Sequence, residues 1–227
     1  TQSFCITSFL ACAFAVVKLS QLGIYTDAIS IFRRVVYNVL SAHTTTGFSN
    51  IYAQQFISDW GDFGILIIII AMLIGGSACS TAGGFKGLRV GIVFKGLIAD
   101  IKKLLSSERS IKIYKYHHIK DYILTDSVIK ASAMIIICYI ILFAINTALG
   151  TFLGYSFVEA AFEAASVTGN VGLSIGITNL SMPTILKVQY IIAMYLGRLE
   201  FIAVFALSGQ IIGGIKKLCI TSVKHSS

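Results

Sequence analysis

The sequence is short of the residues that soluble proteins use most. Charged side chains make up 12% of its 227 residues, about half the share of an ordinary soluble domain. It has one proline, one tryptophan and only 10 acidic residues against 18 basic ones. The five cysteines, Cys5, Cys12, Cys79, Cys138 and Cys219, form no CxxC pair. Neither a disulfide framework nor a cysteine metal site is indicated, and they read as small buried residues. So little charge excludes a disordered chain and most soluble enzymes. Phosphate-cradling motifs are missing as well. Lys86 follows Gly83-Gly84-Phe85, outside the order GxxxxGK(S/T), and no GxGxxG occurs. His117-His118 has no third metal ligand near it. Catalysis is not expected.

What the chain has in abundance is apolar surface. Apolar residues reach 56% and the mean hydropathy is +0.84, which points to an integral membrane protein. Residues 131–149 are long and apolar enough to span a bilayer. Residues 63–74 fall short of the roughly 20 that a span requires. The glycine-rich run GGSACSTAGG (75–84) follows, and the apolar pattern resumes at 88–97. Together these predict one long span broken near its middle. Irregular backbone at membrane depth is tolerated where it lines a cavity, so such a break points to a transport path. Residues 185–213 are also apolar but contain Arg198 and Glu200. A charge at a helix centre costs roughly 2.5–3.5 kcal/mol on insertion scales, so it is expected to face a cavity or a partner. Positions i and i+2 do not share a helix face, so the two charges have different partners.

Net charge is +8, and nine of the eighteen basic residues lie between Lys86 and Lys120. Between apolar segments this reads as a cytoplasmic linker obeying the positive-inside bias, not as a nucleic-acid site. It is equally suited to docking a partner and to touching lipid headgroups. Residues 4–17 have no positive stretch ahead of them, unlike a signal peptide, and Lys18 follows directly. The chain starts at Thr1 within what reads as the tail of a spanning helix. It is therefore expected to be part of a longer protein, with about 200 further residues upstream if the repeats are of equal length.

An internal repeat organises the rest. Residues 27–42 and 155–166 are short and semi-apolar, with helical spacing at Ile31, Val35 and Val39 and at Phe157, Ala161 and Ala164. Each runs into a strip of glycine and small residues, HTTTGFSN (43–50) or VTGNVGLSIG (167–176). The strips align with Thr45, Thr46, Gly47 and Phe48 over Asn170, Val171, Gly172 and Leu173. The expected units are a repeat over 1–107, a basic linker over 108–120 and a second repeat over 121–227. A half-helix ending in such a strip suits ion selection. Backbone carbonyls can replace the water that an ion sheds, glycine permits the torsions that aim them, and the large residue after each glycine packs to hold the strip. Glu159 and Glu163, four apart in the second half-helix, read as surface or cavity-mouth charges that attract cations.

These motifs, with GGSACSTAGGFKGLRV and MYLGRLE, resemble the Trk/Ktr/HKT superfamily of potassium (and some sodium) transporters, most closely the bacterial and archaeal membrane subunits. The resemblance implies an all-α membrane protein of repeated helix–pore-loop–helix units, of which this chain holds the third and fourth. It implies a potassium-binding filter at Thr45, Thr46, Gly47, Phe48, Asn170, Val171, Gly172 and Leu173. It implies a gating loop at Gly75, Gly76, Ser77, Ala78, Cys79, Ser80, Thr81, Ala82, Gly83 and Gly84, with a pore barrier at Arg198. Cys79 stands where the family usually has glycine, and Asn170 where threonine is common. Potassium would be the transported ion, with no organic cofactor in this chain. The expected partners are the cell membrane, a second copy in a homodimer and a cytoplasmic nucleotide-binding regulatory subunit. Glycine at both 47 and 172 favours potassium, since serine at such a position goes with sodium transport. A sodium-permeable or general cation path, and a half-pore inactive alone, are the alternatives.

Overall fold

In the computed structural model, residues 2–23, 27–77, 80, 82–105, 114–118 and 120–225 are described. The side chains at 2–4, 117, 118, 120, 121, 200, 202, 208 and beyond 210 fall outside that description. Nearly all of the described chain is helical. α1 covers Gln2–Gln21. A short helix α2 (Ala28–Ile31), a π-helical turn (Phe32–Val36) and α3 (Tyr37–His43) form the first half-helix. α4 (Ala53–Ser58) and α5 (Gly61–Ile74) follow, then α6 (Gly87–Leu104), a hairpin of β1 (Lys115–His118) and β2 (Lys120–Ile123), α7 (Asp126–Phe152), α8 (Phe157–Gly169) and α9 (Thr184–His225).

Local chemistry sets several of these limits. α5 stops where Gly75 takes φ +66°, a torsion that glycine adopts at little cost. α8 starts at Ser156, whose N–H donates to the Glu159 carboxylate at 3.3 Å, satisfying one of the amides a helix start leaves unpaired. The single proline, Pro183, directly precedes α9, and its carbonyl accepts the N–H of Lys187 at 3.1 Å. Proline has no N–H to lose there.

α7 is the one helix, among the described residues, that is both long and apolar enough to cross a bilayer. Only 22% of that stretch is buried, and Met134, Ile137, Ile141 and Ile145 point outward. α1 and α5 are shorter apolar helices. In lipid, apolar side chains gain little from packing on each other, so close packing rests on small residues and polar links. Both occur here. A Cβ at Gly96 would lie 2.9 Å from Ile129 of α7, and one at Gly150 would lie 2.9 Å from Ala160 of α8. The Asn146 amide of α7 donates to Thr168 of α8 at 3.4 Å and accepts from Gln189 of α9 at 3.2 Å.

α8 is the centre of the assembly. Every residue from Ala160 to Gly169 is buried, between α5, α7 and α9. Phe162 meets Phe56 of α4 with ring centroids 5.5 Å apart, and Phe56 meets Trp60 at the same distance. On the other side Tyr139 of α7 packs edge-on against Phe201 of α9 at 4.9 Å.

The basic linker differs from a plain loop. Ahead of it, five residues of the basic run (Lys86, Arg89, Lys95, Lys102 and Lys103) lie on α6 or at its start, and residues 115–123 fold back as the β1–β2 hairpin. Tyr116 and Tyr122 stack across that hairpin at 5.7 Å. Lys86 is buried, its ammonium donating to the Ser80 carbonyl at 3.3 Å.

Candidate functional site

Each half-helix ends in the same backbone frame, displaced by 125 residues along the chain. The Ser41 carbonyl accepts the N–H of Thr46 at 2.9 Å, and the Ser166 carbonyl accepts that of Val171 at 2.9 Å. The Ala42 carbonyl accepts Thr45 N–H, and the Val167 carbonyl accepts Asn170 N–H, both at 3.2 Å. Thr45 and Asn170 both turn left-handed, at φ +55° and +53°, and Gly47 and Gly172 both have positive φ, +79° and +96°. Left-handed non-glycine residues are uncommon. Two of them at equivalent points, each two residues ahead of a positive-φ glycine, mark one turn built twice.

The serines at the helix ends bond the strips as well. The Ser41 hydroxyl donates to the Phe48 carbonyl at 2.6 Å, and the Ser166 hydroxyl accepts the N–H of Gly172 at 3.1 Å. The strips also meet each other. A Cβ on Gly47 would overlap the Val171 carbonyl oxygen, so only a bare Cα allows this approach.

Beneath them the break after α5 folds back on the helix it leaves. Phe85 N–H donates to the Leu73 carbonyl at 2.9 Å, and Gly87 N–H donates to that of Gly76 at 3.2 Å. Within the loop, the Ser80 N–H and hydroxyl both donate to the Ser77 carbonyl, at 3.0 and 2.7 Å. Gly75, Gly76, Ala82, Gly83 and Gly84 are buried. Ala78, Cys79 and Thr81 lie outside the described residues.

The loop meets the second strip at the end of α8. A Cβ on Gly83 would come within 2.6 Å of the Gly169 carbonyl and 3.2 Å of the Asn170 amide nitrogen. Gly197 of α9 approaches the same amide, and its added Cβ would lie 2.7 Å away. Asn170 donates to the Met194 carbonyl at 3.1 Å. Its side chain thus reaches back into the junction of α9 and the loop instead of standing at a strip mouth. Arg198 follows Gly197 and is exposed on α9. The Glu200 side chain lies outside the described residues.

Two expectations change. Leu173 is packed in the core as expected, at 3% exposure, but Phe48 is 68% exposed, with no described residue covering its side of the first strip. Glu163 is not a surface charge. It is 1% exposed and points at the second strip. Its carboxylate accepts from Ser174 Oγ at 2.5 Å, Ile175 N–H at 3.1 Å and Thr178 Oγ1 at 2.9 Å. Its counterpart at the 125-residue offset is Asn38, fully buried, which accepts from Ser49 Oγ at 2.9 Å and donates to Asn50 Oδ1 at 2.7 Å. Extending the strip alignment upstream would have exposed this pair. A largely apolar cleft of about 430 Å³ lies beside the second strip, lined by Glu163, Val171, Leu173, Lys187, Tyr190 and Met194 among others.

Paired half-helices ending in glycine strips, with a loop folded back on α5, define an all-α membrane fold of the pore-loop class. Residues 3–211 match the TrkH family, described as cation transport proteins, and the chain belongs to that family. It is 33% identical over 172 residues to an uncharacterized cation transporter of Methanocaldococcus jannaschii, covering 76% of this chain and 35% of that protein. It is 29% identical over 189 residues to the Trk system potassium uptake protein TrkI of Halomonas elongata, covering 80% of this chain and 37% of the relative. The fold matches the crystal structure of the potassium transporter TrkH from Vibrio parahaemolyticus with a TM-score of 0.75 at 22% identity, over 91% of this chain and 43% of that one. The chain thus spans 35% to 43% of the length of these proteins.

Proposed function

We propose that this chain supplies two of the sectors that line a potassium-selective path through the cell membrane, in a multi-pass protein. The observation that carries the reading is the duplicated frame: two helix ends and two positive-φ glycines 125 residues apart, with Gly47 set against the Val171 carbonyl. Thr45, Thr46, Gly47 and Phe48, and Asn170, Val171, Gly172 and Leu173, are the filter residues in this reading. Their carbonyls replace the water that a potassium ion leaves behind. Inward movement is driven by the membrane potential, about 2.3 kcal/mol per charge for each 100 mV.

The loop 75–84 is the gate in this reading, supported by the contact of Gly83 with the end of α8. Arg198, next to Gly197 at the same junction, is the barrier. A fixed positive charge there lowers cation occupancy below the filter. Two copies of the complete protein and a cytoplasmic nucleotide-binding subunit complete the system, the latter docking near the basic α6 and the hairpin.

The test is uptake of radioactive rubidium into proteoliposomes holding the complete natural protein, with potassium or sodium as competitor. Block by potassium but not sodium is the expected result. Equal block by both removes the selective filter and leaves a general cation path.

A further inference from the structure

Asn38 and Glu163 occupy the same place in the two halves, yet their surroundings demand opposite chemistry. Asn38 faces two acceptors and one donor: its amide nitrogen donates to the Arg34 carbonyl at 2.5 Å and to Asn50 Oδ1, while its oxygen accepts from Ser49. At the π-helical turn the Arg33 and Arg34 carbonyls each accept a side-chain amide, from Asn50 Nδ2 and Asn38 Nδ2. Glu163 faces donors. Ile175 N–H can only donate. Ser174 Oγ already accepts the N–H of Gly176 at 3.1 Å, so its own proton is directed to Glu163 Oε1. Thr178 completes the set on Oε2. A buried side chain that accepts from several donors is a strong tether, because leaving any of those donors unpaired is costly. The tethered segment, 174–178, directly continues the second strip.

We infer that Glu163 is the positioning residue of the second strip, holding it at the geometry the filter requires through its acceptor oxygens, with Asn38 in the corresponding role for the first. The inference rests on the filter reading above for its effect on selectivity, and on the tether alone for its effect on the strip. Neither residue touches the ion path in this assignment. Each acts through the backbone it holds.

Glu163→Gln separates tether from bulk. The glutamine oxygen can take the place of Oε1 and keep the Ser174 and Ile175 bonds. Its amide can donate to Thr178, whose hydroxyl is free to turn. Glu163→Ala removes every bond and leaves Ile175 N–H without an acceptor. Ser174→Ala removes a single link and is the milder variant if the alanine at 163 does not fold.

Two readouts are needed in the full-length protein. Hydrogen–deuterium exchange over 171–178 reports the tether directly. The ratio of sodium to potassium concentrations that halve rubidium uptake reports its consequence. Exchange should quicken at least tenfold in Glu163→Ala and Ser174→Ala and stay within about threefold of wild type in Glu163→Gln. The competition ratio should fall with the first two and be rescued by glutamine. Unchanged exchange in Ser174→Ala together with a wild-type competition ratio overturns the inference. An unselective wild type that still shows the expected exchange pattern leaves the tether standing and removes the filter reading instead.

Discussion

Gly47 and Gly172 offer a matched pair for testing the strips, because the same substitution meets different surroundings at equivalent positions. Both have φ well outside the range that a side chain tolerates, +79° and +96°, so alanine at either costs on the order of 1–3 kcal/mol of backbone strain. At Gly172 none of the described residues comes within 4 Å of the added Cβ, whereas at Gly47 it overlaps the Val171 carbonyl oxygen. A backbone oxygen cannot turn away as a flexible side-chain tip can. Forcing it aside is an overpacking cost of about 1–3 kcal/mol. At about 1.4 kcal/mol per tenfold change, the excess at Gly47 corresponds to a factor of roughly 5 to 150 in the population of intact strip pairs. The assay is the sodium-to-potassium competition ratio for rubidium uptake by the full-length protein, at equal folded amounts checked by size exclusion. Gly47→Ala should collapse the ratio toward one, and Gly172→Ala should retain more of it. If Gly172→Ala loses as much or more, the two strips do not meet as described and the reasoning fails.

Three further outcomes are expected. Gly83→Ala places a methyl within 2.6 Å of the Gly169 carbonyl; it should loosen the loop by about 1–3 kcal/mol, read as higher basal rubidium flux through the full-length protein, and unchanged flux from a folded protein would remove the loop from the gate. Arg198→Ala should raise basal flux in proteoliposomes, whereas unchanged flux from a folded protein would remove Arg198 from the barrier. Tyr139→Phe deletes the bond from its hydroxyl to the buried Gly197 carbonyl at 2.9 Å; thermal unfolding of the detergent-solubilised full-length protein should show a loss of about 1–3 kcal/mol.

The parts of the site that were legible in the sequence are those whose cause is local. Glycine and small residues after an apolar half-helix betray a strip, because few other residues adopt those torsions. A twelve-residue apolar stretch running into glycine marks where α5 stops, at Gly75. What escaped notice depends on partners far along the chain. Glu163 reads as a surface charge on helical spacing alone, since its donors lie 11, 12 and 15 residues further on. Lys86 reads as part of a solvated basic run, and its burial follows from the carbonyl that the folded-back loop presents. Asn170 reads only as the strip residue aligned with Thr45; in the fold its amide reaches α9, donating to the Met194 carbonyl. The π-helical turn has no signal in FRRVV and is expressed only through the side-chain amides that take up its carbonyls. Phe48 misleads for a different reason: its position after a strip glycine matches Leu173, but among the described residues nothing packs over it.

The meeting point of α8, α9 and the loop is built almost wholly from main chain. Gly83 and Gly197 press on the Gly169 and Thr168 carbonyls, and a Cβ on Gly169 would itself come within 2.9 Å of the Met72 carbonyl. Among the described residues few side chains reach this point, the Asn170 amide and the Tyr139 hydroxyl on the Gly197 carbonyl among them, so little can change rotamer or compress when one segment shifts. A displacement of the loop is therefore handed to the helix end at nearly full amplitude, as between gear teeth rather than through a cushion. The same property leaves little room for gradual retuning: most side chains added at this point would jam the contact, so variation in gating behaviour is expected to arise from residues around the junction and not within it.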